Sequence, residues 1–139
     1  MYILDTNVLS EFRKESTGRI DPRVQAWASR IADSRMFLST VTILEVEIGV
    51  LQKERRDAIQ GSLLRAWFET RVLSSFAGRI LPFDVMAAHH CARLHVPNPH
   101  SQRDAMIAAT ALVHGMTVVT RNVEDFVGTG VTVFNPWEA

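Results

Sequence analysis

Five short apolar runs recur along this chain: "YILD" (2–5), "MFLS" (36–39), "RILPF" (79–83), "TVVT" (117–120) and "VTVF" (131–134). Longer segments with helical spacing separate them. The runs as a set lack the strict polar–apolar alternation of a strand that keeps one face in water. Strands buried on both faces need cover on both, and strands joined by helical crossovers run parallel. The pattern predicts an α/β fold in three layers: a central parallel sheet of about five short strands, helices on both faces, and right-handed crossovers.

The intervening segments support that reading. "TNVLSEFRK" (6–14) is a short helix. "DPRVQAWASRIADS" (21–34) is a second, with Asp21 as N-cap and Pro22 at the first helical position. "TILEVEIGVLQKE" (42–54) and the longer amphipathic "AIQGSLLRAWFETRVLSSF" (58–76) follow. "DVMAAHHCARLH" (84–95) stops at the "VPNPH" loop, and "SQRDAMIAATALVHGM" (101–116) carries Gly115 in the position that ends helices. No repeat or flexible linker divides the 139 residues, so the expectation is one domain spanning residues 1–139. The lone Cys91 excludes an internal disulfide. No apolar run nears the roughly 18 residues of a membrane helix, and no secretory leader is visible. The expected setting is soluble and cytoplasmic, with no membrane partner.

The order of elements decides where chemistry can occur. Parallel strands all end at one edge, each following helix starts there, and ligand sites of open α/β sheets form there. Asp5 ends the first strand. Glu45 falls in the first turn of the helix after the second, and Asp104 in the first turn of the helix before the fourth. Thr120, Asn122 and Asp125 follow the fourth strand in "TRNVEDF". Each acid alone has a plainer reading: Asp5 as a turn residue, Thr42–Glu45 and Ser101–Asp104 as capping boxes, Asp125 as the cap of a short turn. Together they imply a cost, because two unit charges 4 Å apart repel by about 4 kcal/mol at an effective dielectric of 20. Shared protons or a cation relieve it. An all-oxygen set without His or Cys suits Mg²⁺ or Mn²⁺ rather than zinc, and such an ion at an open edge serves phosphodiester or phosphoryl chemistry. Thr6 and Thr120 stand where they could orient a carboxylate or a water.

Competing motifs are incomplete. A receiver-type phospho-acceptor needs paired acids and a late lysine, whereas the only lysines are Lys14 and Lys53. An Asp-x-Asp phosphatase needs an acid where Asn7 stands. No glycine-rich phosphate loop exists. "HHCARLH" holds His89, His90, Cys91 and His95, but adjacent helical residues point about 100° apart and no second cluster completes a zinc site. Glu47 lies about 200° round its helix from Glu45 and stands outside the set. Trp67, Phe68 and Phe76 read mainly as core, with one face open to a partner. Formal net charge is zero, so no general positive field holds nucleic acid. Thirteen of the fifteen basic residues are Arg, however, suited to bidentate phosphate contacts or equally explained by codon bias. Arg13, Arg103 and Arg121 lie near the predicted edge, where they could meet RNA or an acidic partner.

"LDTNVLSE", "TILEVEIGV", "DAMIAATALVHGMTVVTRNVEDF" and "VFNPW" together resemble a PIN domain, in particular the VapC-type toxins of prokaryotic toxin–antitoxin pairs. "FAGRILPFD" and "NPW" are most similar to the FitB-like and plasmid-stability branch. The resemblance spans essentially the whole chain. It implies a Mg²⁺- or Mn²⁺-dependent endoribonuclease using metal-activated water. It also implies a homodimer, possible pairing of dimers, a cognate VapB- or FitA-like antitoxin, and operator DNA reached only through that antitoxin. The family's acidic set falls on Asp5, Glu45 and Asp104, with its fourth position on Asn122. Asn122 is neutral where that position is usually Asp, which leaves Asn122 and Asp125 as alternatives for the fourth ligand. Thr6, Thr120 and Arg121 are supporting residues. The competing function is a PIN-like binding module, catalytically weak and acting only within a regulatory complex.

Overall fold

A computed structural model describes residues 1–139. Its elements run β1 (Tyr2–Leu4), α1 (Thr6–Phe12), α2 (Pro22–Arg30), β2 (Met36–Ser39), α3 (Thr40–Arg56) and α4 (Ala58–Trp67). They continue with β3 (Ile80–Leu81), α5 (Val85–Leu94), α6 (Gln102–His114), β4 (Thr117–Val119) and β5 (Val133–Phe134). All five strands are parallel, in the order β3-β2-β1-β4-β5. The three-layer parallel α/β reading is the observed fold.

Period-two alternation puts neighbouring side chains of one strand into different cores. β1 and β4 pair with Ile3 beside Val118 and Leu4 beside Val119. Ile3 and Val118 pack with Ile107, Ala108 and Ala111 of α6. Leu4 and Val119 face the opposite layer, with Val8, Val24, Leu38, Val50 and Phe68. Each fully buried side chain of this size contributes about 1.5–3 kcal/mol relative to exposure. The small stripe Ala105, Ala108, Ala109 and Ala111 is completely buried, so α6 lies close on the sheet and its N-terminus is held at the strand ends.

Local boundaries differ from the sequence reading in instructive ways. α3 starts two residues early, because Ser39, not Thr42, is its N-cap: the Ser39 hydroxyl accepts from the Val41 amide at 3.0 Å. The Thr42–Glu45 capping box therefore does not form, and Glu45 sits in the second turn. Ser101 is the N-cap of α6 by position, but its hydroxyl makes no capping bond. The segment 58–76 is not one α-helix; after Trp67 it widens into a π-helix, Phe68–Leu73, which turns Phe68 and Val72 into the core. The helix predicted over 21–34 ends at Arg30, and a separate 3₁₀ turn covers Asp33–Arg35. The third and fifth strands shrink to two residues each. No helix is long and apolar enough to cross a membrane.

α3 and α4 cross tightly. A Cβ on Gly61 would lie 2.4 Å from the Glu54 Cα, so only glycine fits. Arg65 then bonds both Glu47, at 2.6 Å, and Glu54, at 2.9 Å. Glu47 is thus engaged in a structural ion pair, away from the acidic edge.

Candidate active site

The chain leaves β1 toward β2 and β3 on one side of the sheet and returns to β4 and β5 on the other. The crevice between the ends of β1 and β4 is therefore the topological switch point, where open α/β sheets bind ligands. Asp5 and Thr120 are the residues that follow those two strands. The backbone stitches them in place: Asp5 N–H donates to the Val119 carbonyl at 2.9 Å, and Thr120 N–H to the Phe134 carbonyl at 3.0 Å.

Asp5 is buried and is the N-cap of α1, its Oδ1 accepting from the Thr6 amide at 2.8 Å. The plain capping role and a site role coincide in this residue. Its Oδ2 accepts from the Thr120 hydroxyl at 2.8 Å and, at 3.4 Å, from Asn7 Nδ2. The Thr120 Oγ1 in turn accepts from Asn7 Nδ2 at 3.2 Å and from the Asn122 amide at 3.1 Å. One donor and two lone pairs are a hydroxyl's whole capacity, so its orientation is fixed. Asn7 Oδ1 also accepts from the Arg121 amide at 3.3 Å. Asn7 thereby ties the first helix to the loop after β4. Asn7 carries no charge to mark it in the sequence; the signal is its place two residues after a strand-ending Asp.

Glu45 reaches the same edge from α3. Its Oε1 accepts from the Thr6 hydroxyl at 2.8 Å, and Arg103 Nη1 stands 3.7 Å from its Oε2. Asp104 approaches from the first turn of α6. Asp125 lies on the 3₁₀ turn Val123–Phe126, anchored by the buried Phe126. The charges of these segments act on one another at this edge. Burial is the main force pushing the Asp5 carboxyl above its ordinary range; the hydrogen bonds from Thr120 and Thr6 oppose it, and the charges of Glu45 and Asp125 add to the rise. Asp104 is raised too, first by burial, then by the charges of Asp5 and Asp125. Asp125, not Asn122, is thus the fourth charge felt at this edge. The Asn122 side chain is exposed, and its backbone amide rather than its carboxamide joins the network.

The donor set is entirely oxygen, which matches hard divalent cations. A buried Asp5 with no cationic side chain against it also fits a site that receives its positive charge from outside. No three His, Cys, Asp or Glu side chains close into a ready-made ligand shell. The edge is a set of repelling carboxylates that an ion would draw together. The histidines of α5 likewise form no metal cluster.

The three arginines part ways. Arg103 faces Glu45. Arg121 lies over Trp137, 5.3 Å from the ring centroid, and Asn135 Nδ2 donates to its carbonyl at 3.4 Å. The C-terminal "NPW" thus holds the arginine of "TRN". Arg13 lies 6.0 Å from the Trp67 ring, in a surface groove of about 430 Å³ that Leu9, Phe12 and Arg71 also line. It has no pairing with the acids.

Residues 2–127 match the sequence profile of the PIN domain. The chain is similar to a protein named VapC ribonuclease Y4jK from Sinorhizobium fredii, 36% identical over 146 residues that cover 99% of both chains. It is similar to Toxin FitB of Neisseria gonorrhoeae, 36% identical over 145 residues and 99% of both chains. Its fold superposes on the crystal structure of FitAcB from Neisseria gonorrhoeae with a TM-score of 0.89, at 35% identity over 100% of each chain. A structure of FitAB bound to a DNA fragment gives a TM-score of 0.83, at 35% identity over 99% of this chain and 96% of that one.

Proposed function

The chain belongs to the PIN-domain family, and from that premise we propose that it is the toxin of a toxin–antitoxin pair, a divalent-metal-dependent endoribonuclease restrained by a cognate antitoxin. One observation carries the reading: at the switch point the buried Asp5 feels the charges of Glu45 and Asp125, and Asp104 those of Asp5 and Asp125. The names of its relatives, a VapC ribonuclease and the FitB toxin, support the nuclease class and the toxin role. The FitAB complexes support an antitoxin partner and contact with DNA through the complex. A cytoplasmic homodimer, able to pair further within that complex, is part of the same reading.

Asp5, Glu45, Asp104 and Asp125 would hold Mg²⁺ or Mn²⁺, which when bound would supply a more acidic water and neutralise charge gathering on the phosphate. The chain's own residues prepare the place. Thr120 fixes one oxygen of Asp5 and the Thr6 amide the other, so the carboxylate cannot rotate. The Thr6 hydroxyl performs the same service for Glu45. Asn7 and the Asn122 amide saturate Thr120 and hold the loop that presents Asp125. Arg121 directly follows Thr120, and its guanidinium, braced on Trp137, would bind phosphate in bidentate fashion.

The test is RNA cleavage followed during Mn²⁺ titration of the antitoxin-free protein. Asp5→Asn and Asp104→Asn should each lower kcat/KM at least about 100-fold and weaken Mn²⁺ binding, while the fold persists. Unchanged cleavage in both variants would remove the enzyme assignment. Mn²⁺ binding without cleavage by the wild type would favour the binding-module reading.

A further inference from the structure

Five ion pairs occur in the chain, and only one touches the acidic edge: Arg103 with Glu45. We propose that Arg103 is the built-in counter-ion of this edge, sitting on Glu45 while no divalent ion is bound and, once displaced, binding the phosphate of the RNA. The proposal rests on the metal-dependent ribonuclease reading and assigns that site a substrate-binding residue.

Three features of the geometry support it. The two oxygens of Glu45 have separate duties. Oε1 is taken by the Thr6 hydroxyl at 2.8 Å, while Oε2 faces only the guanidinium, at 3.7 Å. Oε2 is therefore the oxygen free to ligate an ion, and Arg103 occupies its approach. The contact is also loose. At 3.7 Å it is an electrostatic pairing without a hydrogen bond, and the Arg103 side chain is 49% exposed. Structural arginines of this protein look different: Arg65 grips two carboxylates at 2.6 and 2.9 Å, and Arg79 bonds the carbonyls of Asp33, Met36 and Ser75. Arg103 bonds nothing it would have to abandon. Finally, its place is unfavourable for the helix itself. It occupies the first turn of α6, where the helix dipole disfavours a cation. The negative edge compensates that cost.

Guanidinium does not give up its proton in a protein, so the charge leaves Glu45 only by moving. Once displaced, the half-exposed guanidinium stays at the start of α6, beside Asp104, within reach of an RNA phosphate brought to that edge. The arrangement spares the free protein some of its carboxylate repulsion and releases a phosphate ligand only when the site is loaded.

The experiment compares wild type, Arg103→Gln and Arg103→Lys, each free of antitoxin and checked by circular dichroism. Calorimetric titration with MnCl₂ measures the ion, and RNA cleavage at saturating Mn²⁺ separates kcat from KM. Arg103→Gln should bind Mn²⁺ about 2- to 5-fold more tightly, the range of an exposed ion pair. Its KM for RNA should rise about 3- to 10-fold, with kcat within about twofold of wild type. Arg103→Lys keeps the charge and should return the Mn²⁺ affinity to the wild-type value while recovering only part of KM. Unchanged or weaker Mn²⁺ binding by Arg103→Gln would overturn the proposal, as would a loss confined to kcat. If wild type binds Mn²⁺ and cleaves while Arg103→Gln matches it on both counts, the proposal alone falls. If wild type binds no Mn²⁺, the metal-dependent reading falls and takes this proposal with it.

Discussion

Replacing Thr120 by Val exchanges one oxygen for a methyl at nearly constant shape and isolates what the hydroxyl does. Thr120 is completely buried. Its hydroxyl donates to Asp5 Oδ2 at 2.8 Å and accepts from Asn7 Nδ2 and the Asn122 amide. A hydrogen bond to a charged acceptor contributes about 1.5–3 kcal/mol net. Asn7 still reaches Oδ2 at 3.4 Å, a long bond that replaces little of this. The Asn122 amide stands beside solvent and adds a smaller loss, so the expected cost is about 2–3 kcal/mol. With about 2.1 cal/mol/K of unfolding entropy per residue, 139 residues give about 0.29 kcal/mol/K. The thermal midpoint in EDTA at pH 8 should then fall by about 7–10 °C. Thr120→Ser keeps the hydroxyl and loses one methyl, costing about 1 kcal/mol, or about 3 °C. The hydroxyl serves the ionised form of Asp5, which burial already resists. Protonating Asp5 weakens the bond, so the Val penalty should be smaller at pH 4 than at pH 8. A drop of less than about 3 °C, or an equal drop at both pH values, would refute the role assigned to Thr120.

Burial lifts the carboxyls of Asp5 and Asp104 above their ordinary range. Between that ordinary range and the raised native values the folded protein holds more protons than the unfolded chain, so this contribution to stability falls as pH rises through the window and levels off above it. Melts from pH 4 to 8 in EDTA, read as wild type minus Asp104→Asn, should show that decline, and saturating Mn²⁺ should flatten it; a difference that grows more favourable with pH contradicts the sign. Asp125→Asn should weaken Mn²⁺ about 3- to 10-fold in calorimetric titration, whereas Asn122→Ala should change it less than about twofold, since ligand charge sets affinity at such sites. The reverse order would return the fourth position to Asn122. Gly61→Ala should lower the midpoint by about 3–10 °C in a melt, because a methyl 2.4 Å from the Glu54 Cα forces α3 and α4 apart; a rise, from better helix propensity alone, would show the crossing is loose.

The fold was legible because its strongest signals are repeated and mutually consistent. Five apolar runs, strand-ending turns and a glycine after α6 all favour the same layered sheet, and the parallel order then places Asp5, Glu45 and Asp104 at one edge without further assumption. What escaped was whatever depends on a single side chain's competition for a partner. Ser39 outbids Thr42 for the α3 cap, so the apparent capping box at Glu45 was an accident of spacing. The Thr42 hydroxyl is instead buried without a partner. The π-helix after Trp67, which buries Phe68 and Val72, has no signature in the apolar spacing, because an i, i+4 pair shares a face in an ordinary α-helix as well. Asn7 was overlooked because amides carry no charge, and the pairing of Arg103 with Glu45 joins residues 58 positions apart along the chain.

The edge also explains how a neutral protein could gather negative charge without unfolding. Asp5 takes its first hydrogen bond from a helix amide, and Asp104 sits in the opening turn of α6, where backbone dipoles favour an anion. The acids elsewhere on the facing helices are withdrawn from the site: Glu47 and Glu54 spend their charge on Arg65, and Glu11 binds Lys14 and the Asp21 amide. Of the acids on α1, α3 and α6, those at the sheet edge are left short of positive charge, and Arg103 offsets Glu45 incompletely. Burial is the main cause of the upward shifts of Asp5 and Asp104, and the charges of their acidic neighbours add to both. That shortfall of positive charge is local and directed into the switch-point crevice, so a small dication there gains more than a diffuse salt atmosphere could supply. A screening experiment distinguishes the two. If 0.5 M NaCl raised the metal-free midpoint at pH 8 as much as saturating Mn²⁺ in low salt, the repulsion would be a general surface property, and the case for one concentrated site would fail.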